Sequence, residues 1–227
     1  MAKPLVCFDI DGTLVRTRGA GREALDEAFQ ALHGWPSATE GVHVAGATDD
    51  VICRDVAARF GHAWRAEHTA ALRDWYLLAL AARLADPART EVLPGLPRVI
   101  AAAAEVAEVC LLTGNWARGA RLKLDAADLS RHFNWGVYSE DAFDRDGLVP
   151  AARHRAGERG LEVGAVVVVG DTVSDVRCAR AGGAVAVVVE TGFSTVESLR
   201  ESRPDLQLSN LDAGSAAFLE LVATLGR

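Results

Sequence analysis

Lysine is nearly missing from this 227-residue chain: only Lys3 and Lys123 occur, so almost all of its positive charge is arginine. Acidic residues number 31 against 24 basic ones, a net charge of −7, which lacks the basic excess that a nucleic-acid or anionic-membrane surface demands. Cysteine is sparse and scattered. Cys7, Cys53, Cys110 and Cys178 form no Cys-x-x-Cys pair and have no zinc-type spacing with histidine, so neither a disulfide framework nor a zinc site is suggested. Buried thiols in a reducing compartment are expected instead. No apolar run approaches the roughly 20 residues that span a membrane, and Asp9 interrupts the N-terminal run before it can act as a secretion signal. The expectation is a cytoplasmic protein with no membrane or nucleic-acid partner.

The most informative stretch is Asp9-Ile10-Asp11-Gly12-Thr13-Leu14, at the end of the apolar run Leu5 to Phe8. Strand alternation would turn Asp9 and Asp11 to one side and Ile10 to the other. Carboxylates that close repel, so one is protonated or a cation sits between them. Gly12 permits a sharp turn and Thr13 can tie it locally. Two further apolar runs end in polar residues: Glu108 to Leu112 leads into Thr113-Gly114-Asn115, and Ala165 to Val169 leads into Gly170-Asp171-Thr172, with Asp175 four residues beyond Asp171. Each run is short and followed by a helical pattern, as expected of buried parallel strands. In open parallel sheets the ligand site lies beyond the carboxyl ends of the strands, so the three motifs should converge.

Between these strands lies a block without alternation from Val15 to Thr90. Leu25, Ala28, Phe29 and Leu32 recur at helical spacing from Gly19 to His33, and Gly34-Trp35-Pro36 breaks the pattern. Thr48 should cap a second helix with Asp49 and Asp50 in its first turn, running to Gly61. A third helix is expected from about Trp64 to Ala85. Val92 to Pro97 reads as the return linker, followed by a helix over Arg98 to Ala107 and another over about Trp116 to Leu129. Val185 to Val189 should be a further strand. The fold class expected is α/β, a Rossmann-like parallel sheet with helices on both faces. An all-helical cap spanning residues 16–92 is inserted into a core of residues 1–15 and 93–227.

Asp-x-Asp-Gly-Thr-Leu, then Thr-Gly-Asn, then Gly-Asp-x-x-x-Asp in this order resembles the haloacid dehalogenase superfamily, matching its first, second and fourth motifs. Gly19 to Arg22 and Gly46 to Asp49 are similar to the cap of its phosphoglycolate-phosphatase-like members, and the tail resembles the family's closing pattern, with a short strand near Leu206 to Leu208 and a last helix over about Ser215 to Leu225. The resemblance implies Mg²⁺-dependent hydrolysis of a small phosphorylated metabolite, phosphoglycolate among the candidates. Asp9 would be the nucleophile that becomes an aspartyl-phosphate, and Asp11 the acid and then the base. Mg²⁺ suits an all-oxygen site, here Asp9, Asp171, the carbonyl of Asp11, and Asp175 directly or through water. Thr113, Gly114 and Asn115 would hold phosphate oxygens, helped by the N-terminus of the following helix. Arg16, Arg18 and Arg22 near the crossing could meet a second anion on the substrate, with Arg22 the candidate substrate contact.

The family's third motif is a lysine, and neither lysine here is well placed by sequence: Lys3 opens the first strand, and Lys123 lies eight residues beyond Asn115, about 12 Å along a helix. Arg145, a little over twenty residues before Gly170, is the candidate replacement, with Arg153 and Arg155 as fallbacks. Asp11 disfavours a dehalogenase. A sugar phosphomutase shares the core constellation, and a non-catalytic phosphate-binding module is the alternative from a different class.

Overall fold

A computed structural model describes residues 2–226. Strand β1 (Lys3–Phe8) leads through β2 (Val15–Arg16) into helices α1 (Ala20–His33), α2 (Asp49–Arg59) and α3 (Ala66–Leu84), and returns through β3 (Glu91–Val92). The remaining chain alternates: α4 (Arg98–Val106), β4 (Glu108–Leu112), α5 (Ala117–Ala126), β5 (Gly136–Val137), α6 (Leu148–Glu158) and β6 (Val163–Gly170). It ends with α7 (Val173–Ala181), β7 (Val185–Val189), α8 (Val196–Glu201), β8 (Leu206–Leu208) and α9 (Ser215–Leu225).

Six strands form one sheet in the order β5-β4-β1-β6-β7-β8, every neighbouring pair parallel. The valine-rich runs have no polar face because both faces are covered. Val6, Phe8, Val167, Val169 and Val187 pack with Val99, Ile100 and Ala103 of α4 and Phe218 and Val222 of α9. The alternate residues Leu5, Cys7, Val166, Val168 and Val188 pack with Leu148, Val149 and Ala152 of α6 and Val176 of α7. Each such side chain contributes roughly 1.5–3 kcal/mol by leaving water. From β1 the chain winds outward through β4 to β5, then crosses back to β6 on the other side of β1. That reversal opens a crevice at the strand ends, where Phe8 pairs with both Leu111 and Val169.

The helical segment has its own core, including Leu25, Phe29, Ile52, Val56, Leu72, Tyr76 and Leu80. Thr48 caps α2 as expected, accepting from the Val51 amide at 3.3 Å, and α1 ends at Gly34 with φ 70°. Where the sequence shows no strand pattern, Val15–Arg16 pairs antiparallel with Glu91–Val92 at the crossing. Two-residue strands are too short to alternate. The same brevity hid β5, while α6 escaped notice although Leu148, Val149, Ala152 and Ala156 bury one face of it. Helix α5 stops at Ala126, before the expected Leu129, because Asp128 takes a left-handed φ of 53°. Among the described residues no helix is long and apolar enough to cross a membrane.

Candidate active site

β1 ends at Phe8, so Asp9 and Asp11 stand in the turn beyond it, with the Asp9 amide donating to Val169 O at 2.9 Å. Gly12 makes that turn with φ 82°, and a Cβ there would come within 2.5 Å of an Asp171 carboxylate oxygen. The backbone thus approaches Asp171 as only glycine allows. The two carboxylates of the motif do not share one cation. Each has its own.

Asp9 Oδ2 pairs with Arg145 at 2.9 Å, and the same guanidinium nitrogen pairs with Asp175. Arg145 is only 3% exposed, so the candidate replacement for the family's lysine is a buried cation beside Asp9. It does not pair with its neighbours Asp144 or Asp146; Asp146 binds Arg177. Burial works against the guanidinium charge, but Asp175 and Asp9 outweigh it and raise its pKa further. Burial pushes Asp9 up to about 6 despite the pull of Arg145, with Asp175 and Asp11 adding to the rise. The fallback arginines are engaged elsewhere: Arg153 donates to Gly164 O, and Arg155 pairs with Asp141.

Asp171 is fully buried, and burial together with the charges of Asp175 and Asp9 holds it well above the usual carboxylate range. Its Oδ1 accepts from Thr13 Oγ1 at 3.3 Å and its Oδ2 from the Phe193 amide at 2.8 Å. Asp175 completes a capping box at the start of α7: its Oδ2 accepts from the Thr172 amide at 2.9 Å, and Thr172 Oγ1 accepts from the Asp175 amide at 3.3 Å. Oxygens of Asp9, Asp171 and Asp175 lie within 4.8 Å of one another. Three buried carboxylates against one guanidinium form an all-oxygen, electron-rich set that fits a hard divalent cation.

Lys123 corrects the sequence reading. Its Nζ is buried and lies 2.6 Å from Asp11 Oδ2 and 2.6 Å from Asn115 Oδ1, within the site that helical rise alone placed out of reach. The rise measures backbone, whereas a helical side chain leans toward the N-terminus and lysine adds four methylenes. The usable signal was spacing: Asn115, Gly119 and Lys123 recur every four residues, which puts them along one side.

Asn115 Nδ2 bridges Asp11 Oδ2 and Thr113 Oγ1, at 2.8 Å each. The amides of Asp11 and Gly114, residues on the wall of one cavity, find no acceptor among the described residues. The N-terminus of α5 does not contribute as expected. Its Trp116 amide donates to Asp49 Oδ2 at 2.7 Å and its Ala117 amide to Glu140, so carboxylates already occupy that helix end.

The cavity, about 450 Å³, lies between the strand ends and the helical segment, which contributes Asp49, Ile52 and Tyr76 to its wall. A Cβ at Gly114 would collide with Ala47 O, and the Asp49 amide donates to Gly114 O at 2.7 Å, so the segment rests directly on the Thr-Gly-Asn motif. Burial pushes Asp49 up to about 7 even though Lys123 and the Trp116 amide pull it down. Arg22 lines the cavity, but its guanidinium is turned to Thr39, bonding Oγ1 at 3.0 Å and the carbonyl at 2.9 Å. Arg16 and Arg18, both more exposed, face Glu91 at 3.6 and 3.5 Å.

Comparison with known proteins agrees with this fold. A phosphoglycolate phosphatase of Photorhabdus laumondii is 27% identical over 97% of this chain and 92% of its own length. Phosphoglycolate phosphatase 1 of Pseudomonas aeruginosa is 28% identical over 91% of this chain and 76% of its length. The crystal structure of a hydrolase from Pseudomonas syringae superposes with a TM-score of 0.71 at 20% identity, covering 97% of this chain and 99% of that one. The family model for haloacid dehalogenase-like hydrolases matches residues 3–183, most of the chain and every motif described above, and the protein belongs to that family.

Proposed function

We propose that this enzyme hydrolyses small phosphomonoesters, with Asp9 as the nucleophile and Mg²⁺ as the cofactor. The observation that carries the reading is that Asp9 and Asp11 open on one cavity, each held by a different buried cation. Such an arrangement supports two roles for two carboxylates. Asp9, held through Oδ2 by Arg145, attacks phosphorus through Oδ1, and the ester oxygen leaves with the proton of Asp11. Water then attacks the aspartyl-phosphate, giving its proton to Asp11 and releasing inorganic phosphate and free Asp9. Asp9, Asp171 and the Asp11 carbonyl would hold Mg²⁺, with Asp175 in support. Bound there, the ion neutralises charge that carboxylate and phosphate bring together. Arg145, whose Nε has no partner among the described residues, and the Asp11 and Gly114 amides would bind phosphate oxygens, with Thr113 alongside.

The relatives' names make 2-phosphoglycolate the first ester to assay. Its carboxylate would meet Arg16 or Arg18 rather than Arg22, which Thr39 occupies. The helical segment would act as the cap that selects the leaving group, and four free cysteines fit a reducing, cytoplasmic setting. The test is phosphate release from a panel of phosphomonoesters, with Mg²⁺ or with EDTA. Release that requires Mg²⁺ supports the reading. Phosphoryl return to a sugar substrate would instead make the enzyme a mutase, and binding without turnover a phosphate-binding module.

A further inference from the structure

Lys123 is the buried charge that the proposed chemistry leaves without a role. Its Nζ donates to Asp11 Oδ2 at 2.6 Å, and Asn115 Nδ2 donates to the same oxygen at 2.8 Å. Lys123 also holds Asn115 in register, donating to its Oδ1 at 2.6 Å. One oxygen of Asp11 thus accepts two hydrogen bonds, one of them from a cation, while Oδ1 accepts none among the described residues. The Asp11 side chain keeps 26% of its surface exposed, beside the cavity it lines. A proton on Oδ2 would point at two N–H donors, so a proton carried by Asp11 belongs on Oδ1.

We propose that Lys123 is the positioning residue for proton transfer: with Asn115 it pins Asp11 Oδ2, so that Oδ1 alone meets the leaving-group oxygen and later the attacking water. This rests on the phosphomonoesterase reading. In the first step the Oδ1–H bond breaks as the departing oxygen gains the proton, and in the second a water O–H bond breaks and Oδ1 recovers it. Lys123 keeps its three protons throughout. The helical segment completes the arrangement: a Cβ at Gly21 of α1 would stand 3.4 Å from Lys123 Nζ, so α1 meets the ammonium with its smallest residue. Charge-assisted bonds shielded in this way hold their geometry more firmly than exposed ones.

The test is a leaving-group series on the full chain with Mg²⁺, running from p-nitrophenyl phosphate through phenyl phosphate to benzyl phosphate, for the wild type, Lys123→Met and Lys123→Gln. A p-nitrophenolate leaves without a proton, whereas an alkoxide needs one. Lys123→Met should lower kcat/KM, which reports the steps up to expulsion of the leaving group, by about 100-fold for benzyl phosphate and by less than about 5-fold for p-nitrophenyl phosphate. Lys123→Gln retains a donor for Asp11 and should recover part of the benzyl rate. A thermal melt identifies the folded variants, and either one gives the ratio. Equal losses of kcat/KM across the series would overturn the role of Lys123 and leave the hydrolase standing. No phosphate release from any ester by the wild type would overturn the hydrolase reading, and this proposal with it.

Discussion

Two buried cation–carboxylate groups sit side by side in this site and are built differently. Arg145 lies 3% exposed among Asp9 and Asp175, on a turn that packs against α7, and every charge around it is almost fully buried. Lys123 reaches Asp11 from α5, and Asp11 keeps a quarter of its surface exposed. The first group neutralises charge that cannot otherwise remain buried. The second holds one oxygen of Asp11 and leaves the residue open to the cavity, as the proton exchange proposed for it requires. Removing the cation should therefore cost the fold more in the closed cluster than in the open one.

The largest effect should come from Asp9→Asn, which removes the proposed nucleophile and keeps its shape: phosphate release should fall by more than about 10⁴-fold in a steady-state assay. Arg145→Met would break the closed group by leaving Asp9, Asp171 and Asp175 without their guanidinium. Chemical denaturation should show a loss of about 3–5 kcal/mol, with Lys123→Met losing clearly less, because a partner left partly exposed can be hydrated. If both substitutions cost the same stability, the contrast between the groups fails.

Gly114→Ala tests the seating of the helical segment. The added methyl would meet a backbone carbonyl at Ala47, which cannot turn away as a side chain can. Activity should drop by about 10- to 100-fold with little loss in melting temperature, since the two cores are separate.

Asp49→Asn should give the smallest effect and the sharpest sign. Asp49 has its folded pKa raised to about 7 from an ordinary 3.8, chiefly by burial. Between these values the folded protein binds more protons than the unfolded chain, so this residue makes stability fall as pH rises from about 4 to 7 and leaves it level above 7. Asparagine removes that penalty and can still accept from the Trp116 amide. The melting temperature of the variant relative to wild type should therefore climb from pH 5 to pH 8; a constant difference would contradict the assignment.

Much of this was legible in the sequence, for physical reasons. Buried parallel strands are continuous apolar runs, and β1, β4 and β6 carry polar motifs at the carboxyl end, so the order of runs pointed to the sheet and to the place of Asp9, Thr113 and Asp171. Arg145 came only through the resemblance, from its spacing before Gly170 at the place of the family's lysine; the structure puts it beside Asp9. Lys123 was passed over because distance along a helix axis says nothing of where a long side chain leans. The filling of the α5 N-terminus by Asp49 and Glu140 was equally hidden, since both partners come from segments distant in sequence. The short pairing of β2 with β3 left no periodicity to read.

The most direct test of the central claim is acid quenching during turnover of p-nitrophenyl phosphate with Mg²⁺, followed by mass spectrometry of the digested protein. The account predicts one phosphoryl group on the peptide carrying Asp9, absent from Asp9→Asn and discharged on raising the pH. Turnover with no phosphorylated peptide, or with the label on another residue, would contradict it.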